Sequence, residues 1–146
     1  MKLHRFYNKS FTESSLDIEL DDLQSNHLKR ALRLHESDEV EVFNGSGLYA
    51  NFVIKELGRT NVKVALNSKI NQSPKAPYKI SSLLPILKKD SLTFMIQKIV
   101  EIGMHEILLY KPKNIDQSVA KKDLQKIVNK LEEVVISACK LSLIHI

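Results

Sequence analysis

Lys29, Arg30 and Arg33 are spaced so that a helix would gather them on one side. At about 100° per residue they fall within one arc of roughly 100°, joined by Asn26. Leu23, Leu28, Ala31, Leu32 and Leu34 take the other side, so residues 22–34 read as an amphipathic helix capped by Asp21 or Asp22. Three cations on an exposed arc can meet successive phosphates of an RNA backbone. Arg5, near the first strand, and Lys2 would extend that patch. A solvated face of an ordinary amphipathic helix has the same pattern, and the spacing leaves both readings open. His27 falls inside the apolar arc, where a lone histidine is more often packed and hydrogen-bonded than catalytic.

A second basic pair, Lys88 and Lys89, directly follows the apolar run Ile80-Ser-Ser-Leu-Leu-Pro-Ile-Leu87. That run reads as a buried strand, with Pro85 near its end or at an edge. Ligands of α/β units collect at the carboxyl ends of strands, so the two lysines are placed to meet phosphate or ribose. A plain basic loop is the alternative. Asp90 or Ser91 would cap a following helix, Leu92–Ile102, with Leu92, Met95, Ile96, Ile99 and Val100 inward and Gly103 as a left-handed cap. Gln97, Lys98 and Glu101 share its polar face, with Lys98 and Glu101 one turn apart. The chain has no GxGxxG, GxxxxGK[ST], HExxH or serine-elbow motif. No metal site is expected, and the residues by themselves present no catalytic constellation.

The elements around these residues change character along the chain. Leu16–Leu20 and Thr60–Leu66 alternate apolar and polar residues as half-buried strands do. Val40–Phe43 and Tyr49–Ile54 flank Asn44-Gly-Ser-Gly47, a turn-forming cluster that reads as a hairpin. Short strands at close spacing suggest a small β-barrel or sandwich. The polar stretch Asn67–Pro77 carries two prolines and reads as a linker. After it the order becomes strand, helix, strand, helix, with His105–Tyr110 as the second strand, as in a parallel α/β sheet. In the last helix Leu124, Ile127, Val128, Leu131, Val134, Val135 and Ala138 form a stripe expected to be core. The expected domains are residues 1–72, a linker 73–78, and residues 79–146.

Composition bounds the classes. The 146 residues are 43% apolar and 27% charged, too apolar for a disordered chain. No run approaches the roughly 18 apolar residues of a membrane span, and the start MKLHRFYNKS lacks a signal-peptide core. A cytoplasmic protein without membrane partners is expected. The single Cys139 rules out an internal disulfide framework and a cysteine-rich zinc site. Residues 1–72 hold ten Lys/Arg against ten Asp/Glu, while residues 73–146 hold twelve against seven and so supply the whole +5. A modest basic excess favours phosphate-rich partners without demanding them.

The ordered set of motifs resembles the RsmE family of 16S ribosomal RNA uridine-N3 methyltransferases. His4-Arg5-Phe6-Tyr7 is similar to that family's opening, and Asn26-His-Leu-Lys-Arg-Ala-Leu-Arg-Leu34 followed by Asp38-Glu-Val-Glu-Val-Phe-Asn-Gly45 to its first helix and hairpin. Gln97-Lys-Ile-Val-Glu101-Ile-Gly103 resembles the signature helix of the second domain, and Val135-Ile-Ser-Ala-Cys139 the helix after it. The resemblance runs from residue 3 to about residue 139 in order. It implies an α+β and α/β architecture: an N-terminal PUA-like RNA-binding β-barrel, then the first part of a SPOUT-type domain whose C-terminal trefoil knot is not in this sequence. It also implies S-adenosylmethionine as cofactor, 16S rRNA or the small ribosomal subunit as partner, and a homodimer.

In the family's reaction the uridine N3 loses its proton and meets the sulfonium methyl in line. The glycine-rich cofactor loop and the arginine-bearing knot strands of the family have no counterpart in this chain. Lys113-Asn-Ile115 lacks the arginine that many relatives place near that point, and the ending Lys140-Leu-Ser-Leu-Ile-His-Ile146 lacks a polar helix stop. A truncated chain with no cofactor site and no turnover is therefore expected, with catalytic residues outside it. Arg5, Lys29, Arg30 and Arg33 are the expected RNA contacts, then Lys88 and Lys89, while His27, Gln97 and Glu101 match family motifs without an assigned role. A stand-alone RNA-binding module and a structural or protein-interaction domain are the alternatives.

Overall fold

The computed structural model describes residues 3–74, 77–115, 117, 121 and 123–142. They fall into two compact units that divide between Lys75 and Ala76. That division lies inside the segment read as a linker. Lys2, part of that linker and residues 143–146 of the chain's ending are outside the described residues.

The first unit is a curled half-barrel of six strands: β1 (His4–Tyr7), β2 (Asp17–Leu20), β3 (Glu39–Phe43), β4 (Leu48–Leu57), β5 (Val62–Leu66) and β6 (Asn71–Gln72). The strand order is β1-β3-β4-β5-β2, with β1 parallel to β3 and the other pairs antiparallel. Period-two patterning decides the inner face. Val40 and Val42, Ala50, Phe52 and Ile54, and Val62 and Val64 are all buried, while their neighbours in sequence mostly face outward. Each of these valine, isoleucine and phenylalanine side chains contributes on the order of 1.5–3 kcal/mol by leaving water. Phe11 packs edge-on to Phe52 at 5.5 Å between ring centres. The register of β4 on β5 shifts between Ile54 and Glu56, and this bulge bends the long β4 strand so that the sheet curls round its core.

Asn71 and Gln72, read from sequence as linker, instead form β6 against Tyr49 and Leu48. Polar composition and nearby prolines hid a short strand held by backbone pairing and by the Gln72 side chain, which donates to the Ser46 carbonyl at 3.3 Å.

One helical segment closes the open side of the core. α1 (Asp22–Asn26) is capped by Asp21, whose carboxylate accepts the Gln24 N–H at 2.7 Å. The buried Ser25 hydroxyl donates to the Leu20 carbonyl and accepts from the Val62 N–H, both at 3.0 Å, tying the helix to β2 and β5. From His27 to Ala31 the chain widens into a π-helical turn, with Leu32 N–H bonded to the His27 carbonyl. Arg33 then turns left-handed at φ 54°. The helix expected over 22–34 is thus shorter, and its wheel is not a 3.6-residue wheel. Leu28 is buried as expected, but Leu23 and Ala31, also expected to face the core, are exposed, and the polar Gln24 and Ser25 are buried.

The second unit pairs two parallel strands, β7 (Ser81–Pro85) and β8 (Glu106–Tyr110), with α2 (Lys89–Glu101) and α3 (Leu124–Ser142). Pro85 ends β7, where its missing N–H costs no ladder bond. α2 begins at Lys89, with Lys88 as its cap residue in place of Asp90 or Ser91. It buries Leu92, Ile96 and Val100 and packs against α3. Gly103, at φ 80°, ends it: its N–H reaches the Val100 carbonyl and the Met104 N–H the Ile99 carbonyl, a Schellman pair that calls for a residue without Cβ. On α3 the stripe expected as core is covered at Leu131 and Ala138, whereas Leu124 and Val128 are exposed. Periodicity identified that face, but the elements packed on it reach only its later turns.

Candidate nucleic-acid interface

The cations proposed to act together are treated very differently by the fold. Arg5 lies on β1 directly opposite Glu41 of β3 in the parallel register. Its guanidinium Nε donates to the Glu41 carboxylate and its plane covers the Phe43 ring at 4.9 Å. With its side chain 3% exposed, Arg5 is buried on the sheet face opposite to Val40 and Val42, and is corrected out of the surface patch.

Lys29 is also engaged. Its ammonium donates to the Gly58 and Arg59 carbonyl oxygens, each at 2.9 Å. Those two bonds hold the β4–β5 turn against the π-helical segment. The turn is tight at its start, because a Cβ on Gly58 would sit 2.7 Å from the Asn61 carbonyl oxygen. Arg30 and Arg33 are exposed, as is Arg59 at the tip of the turn. Arg59 is absent from the sequence-derived set, although Gly58-Arg-Thr-Asn61 between two alternating strands marks a hairpin tip carrying a cation.

His27, placed by the helical wheel inside the apolar arc, is exposed, with its ring edge-on to the buried Phe6 at 6.4 Å. The π-helical turn is the reason for the difference.

In the second unit Lys88 and Lys89 are exposed at the carboxyl end of β7. Lys111 and Lys113, also exposed, follow the carboxyl end of the neighbouring β8. Gln97 and Glu101 form an intrahelical group. Gln97 Nε2 and Lys98 Nζ each donate to a Glu101 oxygen at 2.8 Å. The bond from Lys98, then that from Gln97, holds the Glu101 carboxyl below its ordinary value. The same ammonium lies 5.7 Å from the centre of the exposed Phe94 ring. This geometry orders one helical face.

Two surface concavities, of about 480 and 400 Å³, both lie on the first unit. The larger is lined by Asp17, Glu19, Lys55, Glu56 and Lys63, where Lys63 pairs with Glu56 at 2.8 Å. Among the described residues no three His, Cys, Asp or Glu side chains gather as metal ligands. No helix among them is long and apolar enough to cross a membrane.

Two family models match the chain in succession. An RNA methyltransferase PUA domain covers residues 20–67, and an RNA methyltransferase domain covers residues 74–144. The chain belongs to the RsmE family of RNA methyltransferases.

Among curated relatives, a ribosomal RNA small subunit methyltransferase E from Rickettsia conorii is 30% identical over 112 residues, covering 74% of this chain and 44% of that protein. Among solved structures, a ribosomal RNA small subunit methyltransferase E from Neisseria gonorrhoeae bound to S-adenosyl methionine aligns at a TM-score of 0.81 and 23% identity, over 97% of this chain and 57% of that one. A predicted RNA methyltransferase from Thermotoga maritima aligns at 0.80 and 26% identity, over 97% and 62%. This RsmE-family chain spans about half the length of the curated relatives it matches. The half-barrel is its PUA-like part, and β7 to α3 are the opening of its methyltransferase domain.

Proposed function

We propose that residues 1–146 supply the RNA-recognition part, and the first strands and helices of the catalytic domain, of a 16S rRNA methyltransferase that transfers a methyl group from S-adenosylmethionine to N3 of a uridine. The observation that carries this reading is the succession of an RNA methyltransferase PUA domain and an RNA methyltransferase domain along one chain. Within that enzyme Arg30 and Arg33 meet rRNA phosphates, with Lys88 and Lys89 as a second contact region. The working enzyme is a cytoplasmic homodimer acting on the small ribosomal subunit.

The residues of this chain do not fit the cofactor. S-adenosylmethionine carries an ammonium, a sulfonium and one carboxylate, a net positive charge. The carboxyl ends of β7 and β8 lead instead into four exposed lysines, Lys88, Lys89, Lys111 and Lys113, which disfavour a ligand of that net charge. Lysines there suit phosphate oxygens. We therefore assign RNA recognition to this chain and place cofactor binding and the catalytic groups outside it. By themselves, residues 1–146 are inactive.

Filter retention of labelled 16S rRNA by residues 1–146, across a salt series, tests the reading. Retention that falls steeply and log-linearly with salt is expected from phosphate contacts. Absence of retention at low salt would overturn it and leave a structural or protein-interaction domain.

A further inference from the structure

We infer that the β4–β5 turn is part of the RNA-binding surface, with Arg59 as a phosphate contact and Lys29 as the residue that positions it. This rests on the RNA-recognition reading above and assigns that surface residues it did not include.

Lys29 uses its ammonium inward. Two carbonyl oxygens, of Gly58 and Arg59, each take one of its N–H groups at 2.9 Å. A compact, strongly hydrated ammonium gives up water for backbone carbonyls only where the fold holds them ready, and both donors point at consecutive residues of one turn. Two further bonds involve the turn. Leu57 N–H donates to the Glu36 carboxylate at 3.3 Å, and the Thr60 hydroxyl donates to Asn61 Oδ1 at 2.7 Å.

The backbone of Arg59 thus lies one lysine side chain away from the π-helical turn that carries Arg30 and precedes Arg33. All three guanidinium-bearing residues are exposed. The acid nearest in sequence, Glu56, is matched by Lys63 at 2.8 Å. The bond between Lys29 and Gly58, 29 residues apart in sequence, therefore joins the segment that carries Arg30 and Arg33 to the turn that carries Arg59. Arginine suits phosphate through its fixed fork of donors, and a braced loop loses less freedom on binding. The left-handed Arg33, at φ 54°, belongs to the same segment, and strained backbone is retained where surrounding structure over-determines it.

The test measures the affinity of residues 1–146 for a short fluorescein-labelled RNA hairpin across a salt series, for wild type, Arg59→Ala, Lys29→Met and Lys69→Ala. Lys69 borders the smaller concavity, beside β6 at the far end of β4, and its replacement removes the same unit of charge. Arg59→Ala is expected to weaken binding several-fold and to flatten the log–log salt slope by about 0.7–0.9, the loss of one phosphate contact. Lys29→Met is expected to weaken binding comparably and to raise the mobility of the Arg59 amide in nitrogen-15 relaxation. Lys69→Ala is expected to leave affinity within twofold. Wild-type binding with Arg59→Ala unchanged would overturn this inference while leaving the RNA reading intact. No wild-type binding would overturn the RNA reading itself. Loss of affinity with Lys29→Met but an unmoved Arg59 amide would make Lys29 a direct contact and overturn its positioning role.

Discussion

Replacing Glu41 with glutamine removes the carboxylate that pairs with the buried Arg5 guanidinium. The Arg5 side chain is 3% exposed and the Glu41 side chain 18%. Removing one partner of a buried pair costs about 3–5 kcal/mol, because the remaining charge has lost its counter-charge without regaining water. Glutamine keeps one carbonyl acceptor, and the site is not sealed on the Glu41 side, so Glu41→Gln belongs at the low end, about 3 kcal/mol. Arg5→Met keeps most of the packing on Phe43, and the carboxylate it leaves is partly wetted, so about 1–2 kcal/mol is expected. The double variant carries neither charge and should lie within about 1 kcal/mol of wild type, a coupling of at least about 3 kcal/mol. Urea unfolding of the four proteins, followed by circular dichroism with the slope m held common, gives each value. A cost below about 1 kcal/mol for Glu41→Gln would refute the reasoning. The guanidinium would then reach water, and Arg5 would return to the surface available to RNA.

Other consequences are as direct. Arg33→Gly relieves a left-handed backbone worth roughly 1 kcal/mol, part of which the freer unfolded chain takes back. Thermal unfolding should therefore place Arg33→Gly above Arg33→Ala, and equal midpoints would show no strain at φ 54°. Leu83 and Leu84 are neighbours on β7, 66% and 6% exposed. Leu84→Ala should cost about 2–5 kcal/mol and Leu83→Ala less than about 0.5, whereas the reverse order would mean a register slipped by one residue. The Glu101 carboxyl titrates below its ordinary 4.5, chiefly through the bond from Lys98. Whatever stability it adds is present above that ordinary value and is lost as pH falls through the lower folded one. Carbon-13 NMR of the side chain should show the low midpoint in wild type and a rise towards 4.5 in Lys98→Met.

Where local chemistry decides structure, the sequence could be read directly. The alternation in Leu16–Leu20 and Thr60–Leu66, the Asn44–Gly47 hairpin and the Gly103 cap all follow from residue types at short range. The departures have tertiary causes. Arg5 and Glu41 are 36 residues apart and meet only because β1 runs parallel to β3, a pairing with no local signal. The π-helical turn answers to the burial of Leu28 and the partial burial of Leu32 against the core, and a wheel drawn at 3.6 residues misplaced His27, Leu23 and Ala31. Lys29 looked like one cation among three. Its role depends on where another turn comes to rest, which the helix sequence does not contain. Leu124 and Val128 show the same limit from the other side, since an amphipathic stripe announces a face and not its cover.

The separation of RNA recognition from cofactor chemistry along the chain is tested most directly by calorimetric titration of residues 1–146 with S-adenosylmethionine, using protein already shown to bind RNA. The expected result is no saturable heat and no shift in the thermal midpoint. One-to-one saturation would contradict the assignment, because it would mean that β7, β8 and the two helices beside them build a cofactor site among lysines.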